Sequence, residues 1–100
     1  MKDREKLHYE LLKYCKNAYF QPPENLRISY PCIVYARSTD DLMHADNIAY
    51  KLTKRYDLTI IDKNPESEIA DNIIKNLRYC EVTNRYVADN LYHTKIKLYF

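Results

Sequence analysis

Apolar residues recur at helical spacing near the start of the chain. The set at i, i+4, i+7, i+8 and i+11 is typical of an amphipathic helix with one buried side. Its members are Leu7, Leu11, Tyr14, Cys15 and Ala18. We predict a first helix over residues 3–19, because Pro22 and Pro23 follow and cannot continue it.

The next two apolar stretches have the character of strands. Residues 28–36 are rich in Ile, Tyr and Val, and Pro31 in their middle favours an edge position or a bulge because it has no backbone N–H. Residues 48–62 alternate between apolar and polar, with Lys54 interrupting the apolar side, where we expect a bulge or a strand end. A strand of that length would span about 50 Å, so part of it should project beyond a small core.

A polar stretch separates these two predicted strands. Residues 37–47 contain Asp40, Asp41 and Asp46, with Leu42 and Met43 as the large apolar residues. The composition predicts a long loop, and loops of this length often carry function.

The second half of the chain predicts one helix and a hairpin. Asn64 is the expected N-cap of a helix over residues 65–77, with Pro65 in its first turn. Strands are predicted over residues 79–88 and 93–100, joined by a turn at Asp89-Asn90.

The fold class predicted from this order is α+β. We expect an antiparallel sheet of about four strands, with the N-terminal helix and the second helix packed on one face, in the order α-β-β-α-β-β. One hundred residues, 46% of them apolar, favour a single domain spanning residues 1–100.

Composition excludes several classes of function. The chain has no glycine, which argues against a P-loop or a dinucleotide-binding turn. Its formal net charge of +2 is small for a protein that binds the phosphate backbone of nucleic acids. No apolar run approaches a membrane span, so we expect no membrane association and synthesis in the cytoplasm. Cys15, Cys32 and Cys80 lack the spacing of a zinc or redox motif and are expected to be buried thiols.

Candidate catalytic and metal-binding residues are few. The three histidines, His8, His44 and His93, are not at metal-ligand spacing. His44 and Asp46 are a possible acid-base or ligand pair, although a solvated loop explains them more simply. The aspartates of this loop lack the glycine and the final glutamate of an EF-type calcium loop, so a polar interface loop is the better interpretation. We expect no cofactor, no metal and no enzymatic activity.

Cationic residues are interleaved with tyrosines along the predicted strands. A weak nucleic-acid surface is one interpretation of this pattern. A solvated sheet face, balanced by Asp57 and Glu81, is the one we favour. The cations concerned are Lys51, Arg55, Arg85, Lys95 and Lys97.

Tyrosine is the residue present in greatest surplus. Eleven tyrosines in one hundred residues exceed what one small core can hold. Tyrosine is favoured at protein interfaces because it contributes a large contact area, loses little rotamer freedom and keeps a polar tip. The composition therefore indicates a small assembly subunit that binds other proteins.

Several runs of the chain resemble short tail-completion proteins from phages and prophages of Gram-positive bacteria. The resemblance covers about four fifths of the chain and leaves out the first helix. The runs that carry it are YPCIVY from Tyr30, ADN from Ala45, YDLTIIDKNPESEI from Tyr56, RYVADNLYH from Arg85 and LYF from Leu98.

The resemblance implies a structural virion protein of the head-tail neck, similar to tail terminators. Its partners would be copies of itself in a ring, commonly of six, the tail tube protein and the head-tail connector protein, while DNA would pass through the lumen without specific binding. The location implied is the tail or neck of the virion. The resemblance leaves open a contractile tail, a non-contractile tail or a headless tail-like bacteriocin, and also which neck ring is formed.

A ring subunit must present two different patches to its two neighbours. We place one patch on the projecting hairpin with the loop at 37–47, and the other near the second helix or the last hairpin. The residues expected at the interfaces are Arg37, Asp40, Asp41, Met43, His44, Asp46, Tyr50, Arg55 and Arg85. A small nucleic-acid-binding or regulatory module is the alternative function.

Overall fold

The computed structural model describes residues 3–23, 25–38, 42–45, 50–77 and 79–100. Two helices and seven strands lie in these ranges. They are α1 (Asp3–Leu12), β1 (Ala18–Phe20), β2 (Cys32–Arg37), β3 (Leu42–Ala45), β4 (Tyr50–Thr53), β5 (Arg55–Asp62), α2 (Ile69–Asn76), β6 (Cys80–Ala88) and β7 (Leu91–Tyr99).

The main sheet has five strands in the order β1-β2-β5-β7-β6, and β3 and β4 form a separate two-stranded sheet. The α+β class is therefore confirmed, but the sheet is mixed, because β1 runs parallel to β2 while the other neighbours are antiparallel. The expectation of about four antiparallel strands is correct for β2, β5, β7 and β6. It misses β1 and β3, and it does not anticipate that β4, part of the predicted strand over residues 48–62, lies outside the main sheet.

Both helices pack on one face of the main sheet. Ile33 of β2 lies opposite Ile60 of β5, and Leu58 of β5 lies opposite Ile96 of β7, so their side chains share a face. Buried residues of both helices join this face in one cluster, as the sequence predicted. The buried cluster consists of Leu7, Leu11, Cys15, Ile33, Tyr35, Tyr56, Leu58, Ile60, Ala70, Ile73, Ile96 and Leu98.

The first helix is shorter than predicted. It ends at Leu12, and the predicted stretch to residue 19 instead contains a turn and the strand β1. The backbone N–H of Tyr14 bonds to the carbonyl of Leu11, a tightened final turn. Asn17 then accepts the N–H of Ile33 at 2.8 Å, so pairing with β2 replaces the hydrogen bonds of the helix. The helical spacing of apolar residues does not show that strand pairing with β2 competes with the helix in this stretch.

The first predicted strand begins later than expected and is not an edge strand. β2 starts at Cys32, directly after Pro31, because proline has no N–H to donate to a ladder. In the sheet, β2 lies between β1 and β5. The edge position predicted from Pro31 is therefore wrong, and the alternative of a bulge there is also not observed, since the proline simply precedes the strand.

The long strand predicted over residues 48–62 is interrupted at Lys54, as the break in its apolar side predicted. β5 enters the main sheet, whereas β4 pairs with β3. Residues 37–47 are therefore not all loop, because β3 lies within them.

The second helix begins at Ile69, four residues after the predicted start. Side-chain oxygens bond to nearby backbone N–H groups before it: Asp62 to Asn64 at 3.0 Å, and Asn64 to Glu66 at 2.9 Å. These local bonds hold a series of turns and compete with helix formation. Glu68, not Asn64, occupies the N-cap position, and it makes no side-chain capping bond.

The last hairpin agrees with prediction. β6 and β7 flank the two-residue turn Asp89-Asn90, whose φ angles are +53° and +61°. Both residues of a type I′ turn require positive φ, and Asn and Asp tolerate it best after glycine, which this chain lacks.

Candidate interaction surface

The β3–β4 pair forms an arm that continues the β2–β5 hairpin beyond the main sheet. The N–H of Ser38 bonds to the carbonyl of Arg55, and the N–H of Phe100 bonds to the carbonyl of Lys54, which marks the last row of the main sheet. The molecule measures 49 Å along its longest axis, whereas a nine-residue strand spans about 31 Å. We call β3 and β4 the arm.

The opposite side of the sheet ends in β6, an edge strand. Eight of its nine residues, all except Thr83, pair with β7 on one side, and no described strand lies on the other. All residues from Thr83 to Val87 are exposed, and Val87 has 62% of its surface accessible. A long exposed edge presents main-chain N–H and C=O groups to which another strand can bind.

The face of the main sheet away from the helices carries paired charges. We call it the open face. Arg55 lies 3.1 Å from the carboxylate of Asp57, and Lys97 lies 2.8 Å from that of Glu81. The Lys97 ammonium lowers the pKa of Glu81, and Glu81 raises the pKa of Lys97, through their hydrogen bond and charge attraction. Asp57 and Glu81 therefore balance these two cations, as the favoured interpretation predicted.

Aromatic rings occupy the end of the open face near the last turn. Tyr86 and His93 stack with ring centroids 4.6 Å apart and an interplanar angle of 9°. The ammonium of Lys95 lies 5.7 Å from the centre of the Tyr86 ring. Sequence analysis did not identify this cluster, because only the register of β6 against β7 brings Tyr86 opposite His93.

A cleft of about 580 Å³ lies between the β5–α2 connection and the distal half of the β6–β7 hairpin. The charged residues along it are mostly acidic. They are Asp62, Glu66, Glu68, Asp71 and Arg85. The excess of carboxylates makes the cleft unsuited to phosphate or other anions.

The predicted interface residues fall in two separate regions. Arg37 and Arg55 lie at the base of the arm, and the backbones of Met43, His44 and Tyr50 lie within it. Asp40, Asp41 and Asp46 lie outside the described residues.

Arg85 occupies the second region, near the other end of the strands. It lies opposite Thr94, which itself lies opposite Ile60 on β5. Arg85 was expected on the same outward face as Lys95 and Lys97, and this is wrong: the bulge between Val82 and Asn84 shifts the register and turns Arg85 to the helix side. Lys51 likewise belongs to the arm and not to the main sheet.

The cysteines are free thiols. Cys15 and Cys32 are buried as predicted, whereas Cys80 is partly exposed. Burial, with a smaller contribution from Cys15, raises the pKa of Cys32 to about 11. A thiol held protonated in this way is a poor nucleophile, which favours a packing role.

The histidines are dispersed. His8 contacts the hydroxyl of Tyr35 at 2.6 Å, and the ring of His93 bonds to the carbonyl of Leu91 at 3.0 Å. The proposed pair of His44 and Asp46 is not tested, because Asp46 lies outside the described residues.

Within the described ranges, no group of three or more His, Cys, Asp or Glu side chains is placed to hold a metal ion. Neither described helix has the length and apolar character that crossing a bilayer requires. A scan against protein-family models finds no match to this chain, and a search of the curated proteins finds none either.

Proposed function

We propose that this protein is a structural subunit of a phage head-tail neck, which forms a ring on the end of the tail tube and docks to the head connector. The observation that carries the proposal is the arm, a two-stranded ribbon that leaves the main sheet and has no third strand among the described residues. Two-stranded ribbons are marginally stable alone in water, so the arm favours a role in contact with another chain.

The arrangement of surfaces supports a ring. The arm extends from one end of the strands, and the exposed residues of β6 lie toward the other end, at an edge of the sheet. Two different patches on one subunit produce head-to-tail contacts, and such contacts close into a ring when the rotation between subunits allows it.

Exposed tyrosines give further support. Among the tyrosines whose exposure the structure describes, five have more than a third of their surface accessible, although tyrosine is large enough to be mostly buried in a core. Interfaces are enriched in this residue. The five are Tyr9, Tyr30, Tyr79, Tyr86 and Tyr92.

The proposal is tested by incubating the protein with purified tail tubes that lack their terminal ring. Negative-stain microscopy should show added density at one end of each tube. A variant without residues 40–44 should lose this density while remaining folded by circular dichroism, and a variant with alanine at His8 should retain it. Tubes whose ends stay bare with the unmodified protein would contradict the proposal.

A nucleic-acid-binding module is the second candidate, favoured by the Tyr86–His93 stack with Lys95 beside it. Aromatic rings and cations on a sheet face can bind single-stranded nucleic acid. The two candidates differ in salt dependence: DNA retention that falls steeply with salt and is lost in Lys95→Glu favours this module. Weak retention unaffected by Lys95→Glu favours the neck protein.

A further inference from the structure

The direction of the main-chain groups along β6 follows from its pairing with β7. The carbonyl of Tyr79 accepts the N–H of Tyr99 at 3.0 Å. Hydrogen-bonded and non-hydrogen-bonded pairs alternate in an antiparallel ladder. Glu81 therefore turns its main-chain groups toward Lys97, while Cys80 and Val82 turn theirs away from β7.

Between the bulge and the Asp89-Asn90 turn, the hydrogen-bonded pairs are counted from the turn. Ala88 and Leu91 close the two-residue turn and form a hydrogen-bonded pair, and Tyr86 with His93 is the next such pair. The N–H and C=O groups of Arg85 and Val87 consequently point away from β7. The segment 84–88 is a regular five-residue edge with four main-chain groups directed outward.

The arm has matching properties. β3 and β4 are four residues long and, within the described part of the chain, pair only with each other, so each has one open edge. Charge is complementary as well. The stretch 38–53 contains three aspartates and one lysine, which give it a net charge of −2. The β6–β7 hairpin has a net charge of +1, because it contains two acidic residues and three cations, Arg85, Lys95 and Lys97.

The arm and the free edge of β6 cannot meet within one chain. The arm continues from the Arg55 end of β5. Residues 85–87 lie toward the other end, because their partners in β7 lie opposite Ile60, Ile61 and Asp62. β7 also separates β5 from β6. The contact therefore requires two copies of the chain.

We infer that one edge of the arm adds as an extra strand to residues 84–88 of β6 in the next copy. This inference rests on the proposed ring. Main-chain hydrogen bonds supply the attraction, as in other cases of strand addition, and the charge difference favours the arm over a second β6. Because donor and acceptor patches differ, each copy uses its arm on one neighbour and its β6 on the other.

A proline substitution tests the strand addition. Val87→Pro removes an outward N–H and leaves the hydrogen bonds of Tyr86 and Ala88 to β7 in place. We expect it to weaken assembly at least tenfold while its circular dichroism spectrum stays unchanged, whereas the control Val87→Thr should assemble like the unmodified protein. Val87→Pro protein that is folded and assembles normally would overturn the inference.

A second measurement does not depend on the folding of the proline variant. His44→Cys on the arm and Arg85→Cys on β6 are made in separate chains that also carry Cys80→Ser, then mixed under oxidising conditions. We expect a disulfide-linked dimer in the mixture at least ten times more abundant than with Asp71→Cys in place of Arg85→Cys. Equal yields would overturn the strand addition alone, whereas unmodified protein that never assembles would overturn the proposed ring with it.

Discussion

The imidazole of His93 stacks on the ring of Tyr86 across the β6–β7 hairpin, with centroids 4.6 Å apart and planes 9° from parallel. The two residues lie directly opposite each other, so the stack is set by the register beyond the bulge. The stack lies within residues 84–88 of β6, the segment whose outward main-chain groups we assign to assembly.

This stack predicts a measurable contribution to stability. Tyr86→Ala should lower the free energy of unfolding by about 0.5–1.5 kcal/mol, the range for aromatic pairs. Tyr9→Ala, which removes an exposed tyrosine of α1, is the control and should have little effect. Urea unfolding measures both. Equal losses in the two variants would contradict a specific role for the stack.

The core predicts a sharp difference between two neighbouring leucines of α1. Leu11 is fully buried, whereas Leu12 is partly exposed. Leu11→Ala should cost about 2–5 kcal/mol because it leaves a cavity, and Leu12→Ala should cost clearly less. The comparison also checks that α1 packs on the sheet as described. Similar costs would mean that the helix is rotated relative to this arrangement.

The raised pKa of Cys32 predicts a loss of stability in alkaline solution. Its ordinary pKa is 9.0 and its folded pKa about 11. The folded state favours the protonated thiol, so this contribution is complete below about pH 9 and is lost as pH rises toward 11. Two pKa units correspond to about 3 kcal/mol.

Burial also raises the pKa values of Cys80 and Tyr35, so alkaline stability does not depend on Cys32 alone. The measurement is therefore the difference between the unmodified protein and Cys32→Ala, in urea unfolding at pH 8 and pH 11. The unmodified protein should lose more stability between the two. Parallel losses would contradict the raised pKa of Cys32.

The ion pair on the open face predicts the titration of Glu81. Its pKa is lowered by Lys97, so its carboxylate should protonate at a lower pH than an ordinary glutamate. Carboxyl-carbon NMR should show this, with the pKa returning to normal in Lys97→Met. Because the folded pKa is depressed, any stability from the pair is lost as pH falls. Lys95→Met is the matched control and should leave Glu81 unchanged, since no carboxylate pairs with Lys95 in the described structure.

Sequence patterns predicted the elements whose stability is local. The Asp89-Asn90 turn follows from residue type, and the break at Lys54 follows from a period of two. The two helices were identified, but their ends were not. Residues 13–19 are not helical, because residues 17–20 form hydrogen bonds with β2 and its flanking residues. Residues 65–68 form turns, which the side chains of Asn64 and Ser67 stabilise by hydrogen bonds to backbone N–H groups.

The candidate surface was less accessible to sequence analysis. Residues 37–47 were predicted to be a loop, whereas β3 lies within them. The face of Arg85 and the stack on Tyr86 depend on a one-residue bulge. A bulge reverses which side chains share a face, and no single residue type signals it in this chain. The free edge of β6 likewise follows from strand order, which local patterns do not determine.

The mass of the purified protein in solution shows whether this chain assembles into a ring. Native mass spectrometry, supported by sedimentation at several concentrations, should detect a closed oligomer, six subunits of 12.1 kDa giving about 73 kDa. The mass should stay at this value as concentration rises, because a closed ring leaves no patch unpaired. A 12.1 kDa monomer at every concentration, both alone and in the presence of tail tubes, would contradict the account.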